Sequence, residues 1–154
     1  MTPAEPAGVP KVRDLFAALN TLGAQYLVVG GYALAQHGHP RLTRDLEVWV
    51  RADPENARTV WKALDAFGAG LGYHAVEDLE TPDIVFQISL PPDRVVVLTG
   101  IDGVAFEDAW AHQVQGRYGD QPVRVIGVQD LIRNKLATGR PQDSLDAKTL
   151  LRHA

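Results

Sequence analysis

Cysteine is missing from all 154 residues of the chain. Disulfide staples, thiolate metal sites and cysteine nucleophiles are excluded with it. Long apolar runs are missing too. Nowhere do about 18 or more apolar residues follow one another, and the opening MTPAEPAGVPKV has no basic segment leading into a hydrophobic one. Neither a membrane span nor a signal peptide is visible, so the expectation is a cytoplasmic protein. Charge of one sign is scarce: 15 Lys and Arg against 19 Asp and Glu give a formal net charge of -4. A polyanionic substrate would therefore have to be met by a local cluster of cations, not by the overall field. There are only five histidines and no HExxH pattern, so His37 and His39 read as structural residues, not zinc ligands.

What is present is the composition of an ordinary globular protein, 45% hydrophobic and 22% charged. The length fits one domain with a real core. Residues 1–10, rich in Pro, Ala and Gly, read as a loose tail, and residues 11–154 as a single domain.

From Lys11, apolar Val12, Leu15, Phe16, Leu19 and Leu22 recur at helical spacing and stop at Gly23. YLVVG is a short buried strand ended by Gly30-Gly31, after which YALAQHG is helix sequence closed by Gly38. LEVWV predicts a second strand, and Asp53-Pro54 caps a helix from Glu55 to about Phe67. IVFQISL (84–90) and RVVVLT (94–99) predict a hairpin around Pro91-Pro92-Asp93. A short helix over 104–111, a strand over 123–127 and two helices broken at Gly139 and Pro141 complete the chain. The order implies an α/β (α+β) fold: a mixed β-sheet covered by helices, with a helical C-terminal segment. Trp49, Trp61 and Trp110 read as core aromatics.

Two features bear on chemistry. Residues two apart on a strand share a face, about 6.6 Å apart, so Asp45 and Glu47 point the same way while Leu46 and Val48 pack inward. Such an acid pair is either plain solvated surface or a site for a hard divalent ion. Upstream, a strand that ends in Gly30-Gly31 and runs into a helix is either a tight turn needing glycine torsions or a backbone cradle for phosphate. GGYALA has neither the GxGxxG nor the GxxxxGK[ST] spacing. Together, cradle and acid pair fit a site that holds a nucleoside triphosphate through metal ions.

The stretch GGYALAQHGHPRLTRDLEVWV resembles the signature of the minimal nucleotidyltransferases of the polymerase-β-like superfamily, in which a GG or GS turn precedes a D-x-D or D-x-E strand. The likeness extends through PDRVVVLTGIDGVAFEDAW and VIGVQDLIRNKLATGRPQDSLDAKTL, over roughly residues 12 to 150. It is greatest to a bacterial branch whose relatives include toxin–antitoxin and abortive-infection nucleotidyltransferases. The resemblance implies the nucleotidyltransferase fold, Mg²⁺ or Mn²⁺ as cofactor, a nucleoside triphosphate as substrate, and transfer of the nucleoside monophosphate to a protein or RNA hydroxyl. It implies a toxin or antitoxin partner as well.

Residue by residue, the resemblance places Gly30 and Gly31 against the triphosphate and makes Asp45 and Glu47 the first two metal carboxylates. Arg41, Lys135 and Arg140 become the cations facing the nucleotide, although Lys135 and Arg140 can equally be a solvated helix end. Arg44 alternates away from Asp45, and Asp143, Asp146 and Lys148 read as caps and surface pairs. Relatives carry a third acid in an R-[IV]-D-L-L-T strand and use it to hold a second ion about 3.5 to 4 Å from the first. This chain has Val96 there. Asp83, Asp93 or Asp102 could replace the missing ligand, but Asp93 and Asp102-Gly103 have turn chemistry. Two expectations follow: a nucleotidyltransferase with a degenerate metal site, or a catalytically inactive homologue acting as a binding or antitoxin-type module.

Overall fold

The computed structural model of the protein describes residues 12–40, 43, 45–72, 74–90 and 93–153. The tail predicted over residues 1–10, Lys11, Arg41 and Arg44 lie outside the described residues.

The core is built around two adjacent strands. Strand β1 (Tyr26–Val29) is buried at all four positions, as a continuous apolar run requires of a central strand. Strand β2 (Asp45–Val50) runs antiparallel to it, with Val29 opposite Glu47. On its far side β2 pairs in parallel with β4 (Asp93–Leu98), and β4 closes an antiparallel hairpin with β3 (Val85–Leu90). On the other side β1 pairs in parallel with β6 (Gln121–Val125), which carries β5 (Val114–Tyr118) as the outer strand. The order is β3-β4-β2-β1-β6-β5.

Helix α1 (Val12–Leu22) buries Val12, Leu15, Phe16 and Leu19 and ends at Gly23, which has a left-handed φ of 74°. It packs against α3 (Pro54–Phe67). Helix α3 starts as its sequence dictates: the Asp53 carboxylate accepts from Asn56 N at 2.7 Å, with proline in the first turn. It ends at Gly68, φ 89°. Among the described residues four more helices are α2 (Gly30–Gln36), α4 (Phe106–Ala111), α5 (Val128–Thr138), which ends at Gly139 with φ 71°, and α6 (Pro141–His153). No helix is long and apolar enough to cross a membrane among the described residues.

Several elements differ from expectation. The helix after β1 begins at Gly30 and not beyond the glycine pair. Val104 is drawn into a bridge with Ile101, so α4 starts two residues later than predicted. Asp93 is the first residue of β4, paired with Leu90, so it is a strand residue, and the predicted turn at Pro91-Pro92 lies outside the described residues. A 3₁₀ turn at Val76–Leu79 and the whole of β5 were not anticipated. Strand β5 is an edge strand, mostly exposed and interrupted by Gly116, so neither apolar alternation nor β-branching marks it. Trp49 is buried as expected, in edge contact with Phe106 at 5.0 Å, while Trp61 and Trp110 are partly buried against the core.

The link between α3 and the strand ends is one amide. Asn56 is buried; its Oδ1 accepts from Gln25 N at 2.8 Å, and its Nδ2 donates to Gln25 O and Arg51 O, each at 3.0 Å. Those groups flank the start of β1 and the end of β2, so one side chain aligns both strands with the helix. Asn56→Leu takes this partner from the partly buried Gln25 N and Arg51 O, while Gln25 O keeps Arg51 N at 3.3 Å; each unpaired group costs about 1–3 kcal/mol. We expect urea denaturation to show a loss of about 2 kcal/mol or more, against less than about 0.5 kcal/mol for exposed Lys62→Ala.

Candidate functional site

Beside the carboxylate face of β2 lies a cleft of about 620 Å³. The sheet forms one wall. Pairing registers put Gln87, Val96, Glu47 and Val29 side by side in one row across β3, β4, β2 and β1, and all four line the cleft. The opposing wall comes from the C-terminal helix pair, with Asn134, Lys135, Thr138, Arg140, Gln142 and Asp143. Gly30 and Gly31 close one end. The cleft brings together Gly30 and Gly31 of α2, Asp45 and Glu47 of β2, Lys135 of α5 and Arg140 of the α5–α6 connection.

Glu47 depends on a residue that lacks a side chain. Gly30 has φ 67°, and a Cβ built on it would collide with Glu47 Oε2. The carboxylate thus lies directly under the backbone of the glycine turn. Gly31 is close-packed as well, since its Cβ would stand 3.0 Å from Thr43 Cγ2. Burial raises the Glu47 pKa; Lys135 and Arg140 pull it down, while Asp45 and Asp143 push it further up.

Asp45 has a partner that sequence reasoning overlooked. Arg94, its register neighbour on β4, grips it with two bonds: Nε to Oδ1 at 2.9 Å and Nη2 to Oδ2 at 3.2 Å. The side chains are 58% and 38% exposed, so the pair sits at the rim of the cleft. The available signal was period two, since Arg94 stands two residues before Val96 on the same strand face.

The helical wall is a closed polar network. Lys135 is 3% exposed; its Nζ donates to Asp143 Oδ1 at 3.2 Å and Asp146 Oδ2 at 3.0 Å. Asp143 Oδ2 also takes the Thr138 hydroxyl and Arg140 Nε, both at 2.8 Å, and Gln142 Nε2 donates to Asp146 Oδ1 at 3.0 Å. Burial works against the Asp143 anion, but the Thr138, Lys135 and Arg140 groups outweigh it and hold its pKa below the ordinary value. Asp143 and Asp146 are therefore not the surface pairs expected from their helical spacing: the α5–α6 turn folds them back onto Lys135, and only Lys148 is exposed. Lys135 is no solvated helix end either. Arg140, at 73% side-chain exposure, is the mobile cation of the pair.

Val96 stands directly beside Glu47 in register and is 8% exposed, where a third carboxylate would lie. Of the loop acids, Asp102 lines the cleft but belongs to a turn, with its carbonyl held by Asn134 Nδ2 at 2.9 Å. Asp83, at φ 61°, sits against Gly100 and does not line the cleft. Among the described residues no three His, Cys, Asp or Glu side chains come close enough to share an ion. His37 binds Ile126 O at 2.7 Å, and the His39 ring lies 5.0 Å from that of His153.

The raised Glu47 pKa carries a sign. Between the ordinary carboxyl value of 4.5 and the raised folded value, the folded chain holds the proton more tightly than the unfolded one, so stability falls as pH rises through that window. Above it the buried anion is a standing cost. In EDTA, Glu47→Gln should raise the melting temperature at pH 8 by about 2–4 °C, the response to roughly 1 kcal/mol at this chain length. The gain should shrink toward pH 4.5. A gain independent of pH would contradict this account.

No protein-family model matches the chain, nor does any curated protein. Solved structures do match. A candidate nucleotidyltransferase of Thermotoga maritima superimposes with a TM-score of 0.60 at 14% identity, over 93% of this chain and 91% of that one. The lincosamide antibiotic adenylyltransferase LnuA, in its lincomycin-bound form, gives 0.59 at 13% identity, over 96% of this chain and all of that one. The antibiotic-resistance factor ANT(2'')-Ia, in complex with adenylyl-2''-tobramycin, gives 0.57 at 13%, over 90% and 84%. These agreements cover at least 90% of the chain, and the chain has the nucleotidyltransferase fold.

Proposed function

We propose that the chain binds a Mg²⁺- or Mn²⁺-nucleoside triphosphate in this cleft, between the Gly30-Gly31 turn and the Asp45–Glu47 face of β2. Transfer of the nucleoside monophosphate to a protein or RNA hydroxyl is slow, because Val96 occupies the third carboxylate position. The observation that carries this reading is the row Gln87–Val96–Glu47–Val29, which sets valine beside the metal-binding strand.

The residues fit one ion and not two. Glu47 is turned under the bare backbone of Gly30, where phosphate oxygens can approach, and Asp45 shares its face. Two carboxylates plus phosphate oxygens and water suit the octahedral preference of Mg²⁺. An ion bound there would neutralise triphosphate charge and steady the leaving pyrophosphate. Exposed Arg140 is placed to meet phosphate, while buried Lys135, held by Asp143 and Asp146, keeps the helical wall positioned and adds positive potential. Val96 itself can accept no proton from an attacking hydroxyl.

The neighbours support the reading in kind: LnuA is an adenylyltransferase, and the ANT(2'')-Ia complex holds an adenylylated antibiotic. A second reading, a binding or antitoxin-type module without transfer, is favoured by the combination of Val96 with Arg94 locked on Asp45. Label transfer from α-³²P ribonucleotides into whole-cell RNA and protein separates them. Native protein should label an acceptor weakly, Val96→Asp should label at least about tenfold faster, and Asp45→Ala should not label. Labelling by Asp45→Ala would overturn the site. Nucleotide binding with no transfer by either native or Val96→Asp would establish the module.

A further inference from the structure

We propose that Arg94 is a two-position residue of the cleft: its guanidinium is the counter-ion of Asp45 in the metal-free protein and shifts onto the triphosphate when a divalent ion arrives with nucleotide. The proposal rests on the nucleotide-binding reading above and adds the residue that governs access of the ion. Both oxygens of Asp45 are engaged by Arg94, at 2.9 and 3.2 Å, so a divalent cation and the guanidinium compete for the same carboxylate. One Asp45 oxygen must be released before the ion can use it.

The pair is built to exchange. It is half exposed, and ion pairs of that kind contribute little net stability, so an incoming ion with two charges displaces the guanidinium readily. It is also tethered. Arg94 is the register neighbour of Asp45 and shares its strand face with Val96 and Glu47, so a side chain released from Asp45 remains at the rim of the cleft, facing the anion that enters. With valine at 96, no acid on Arg94's own strand face competes with Asp45 for the guanidinium. The planar fork that now holds a carboxylate is equally suited to phosphate oxygens. No net charge change is left uncompensated, because the carboxylate exchanges guanidinium for metal while the guanidinium exchanges carboxylate for phosphate.

Two titrations test this on the full chain. In the first, free Mn²⁺ is followed by electron paramagnetic resonance without nucleotide. Arg94→Gln should bind Mn²⁺ about two- to fivefold more tightly than native, as expected for removal of a half-exposed competing pair, and adding Asp45→Asn should abolish the gain. In the second, Mg²⁺-ATP binding is measured by calorimetry, and Arg94→Gln should bind about tenfold more weakly, for loss of a charge-assisted phosphate contact. Arg94→Lys, which keeps the charge but not the fork, should fall between. Mn²⁺ affinity unchanged or weakened in Arg94→Gln overturns the proposal, as does unchanged Mg²⁺-ATP affinity. A merely structural pair would shift the melting temperature and leave both affinities alone. If native protein binds no Mg²⁺-nucleotide while the Mn²⁺ shift appears, the nucleotide reading fails and the competition at Asp45 stands.

Discussion

The cleft exists because Gly30 has no Cβ. Glu47 must keep a carboxylate on the open face of β2 while its neighbours Leu46 and Val48 are wholly buried on the other, and the space above it is the space a side chain at residue 30 would fill. The same glycine takes a left-handed φ of 67° that lets β1 turn at once into α2. One missing atom group thus sets the turn, the position of the acid and the approach of any ligand backbone-first. Everything else in the site is arranged about that contact: Asp45 one pleat away, Val96 across the parallel pairing, and the helical wall opposite.

Electrostatics then divides the cleft into a fixed half and an adjustable half. On the helical side Lys135, Asp143 and Asp146 form a largely buried, mutually satisfied cluster in which each charge has partners, and removing Lys135 would take away the cation that both acids share in a low-dielectric setting. Such a cluster holds α5 against α6 and is poorly suited to release a cation to a ligand. On the sheet side Arg94 and Asp45 form an exposed pair, and burial raises the Glu47 pKa. Those groups can change partners or charge at small cost. The polyphosphate binding proposed above would therefore fall to Arg94, Arg140 and the two β2 carboxylates, with Lys135 acting at a distance.

Much of this was legible in the residues because it follows from short-range periodicity. The apolar spacing of α1, the Asp53-Pro54 cap, the glycine stops at Gly23 and Gly139, and the alternation that turns Asp45 and Glu47 to one face all emerge as expected. The residue beside Asp45 did not: hairpin length suggested Val96 there, whereas the β2–β4 register sets Arg94 beside Asp45 and Val96 beside Glu47. What stayed hidden depends on partners far along the chain or on absent side chains. Asp143 and Asp146 look like solvated helix charges until the turn at Gly139 returns them to Lys135. Strand β5 owes its existence to β6, not to its own pattern. Arg94 stood in plain view, but its role is defined only by the parallel strand beside it.

The replacement of an acid by Val96 changes the balance of the whole sheet face and not only one ligand. With a carboxylate at 96, three acids from adjacent strands would crowd one face, and only bound cations could hold them together. With valine, Asp45 is neutralised by a tethered guanidinium and burial raises the Glu47 pKa, so fewer negative charges crowd the face without an ion. Under the proposed reading, the valine that takes the second metal position also lessens the need for metal in the resting fold. Such a cleft would be preorganised when empty and would lack the local excess of negative charge that draws two ions in. The proposal thus amounts to an uncoupling of ligand binding from chemistry at a single position of β4.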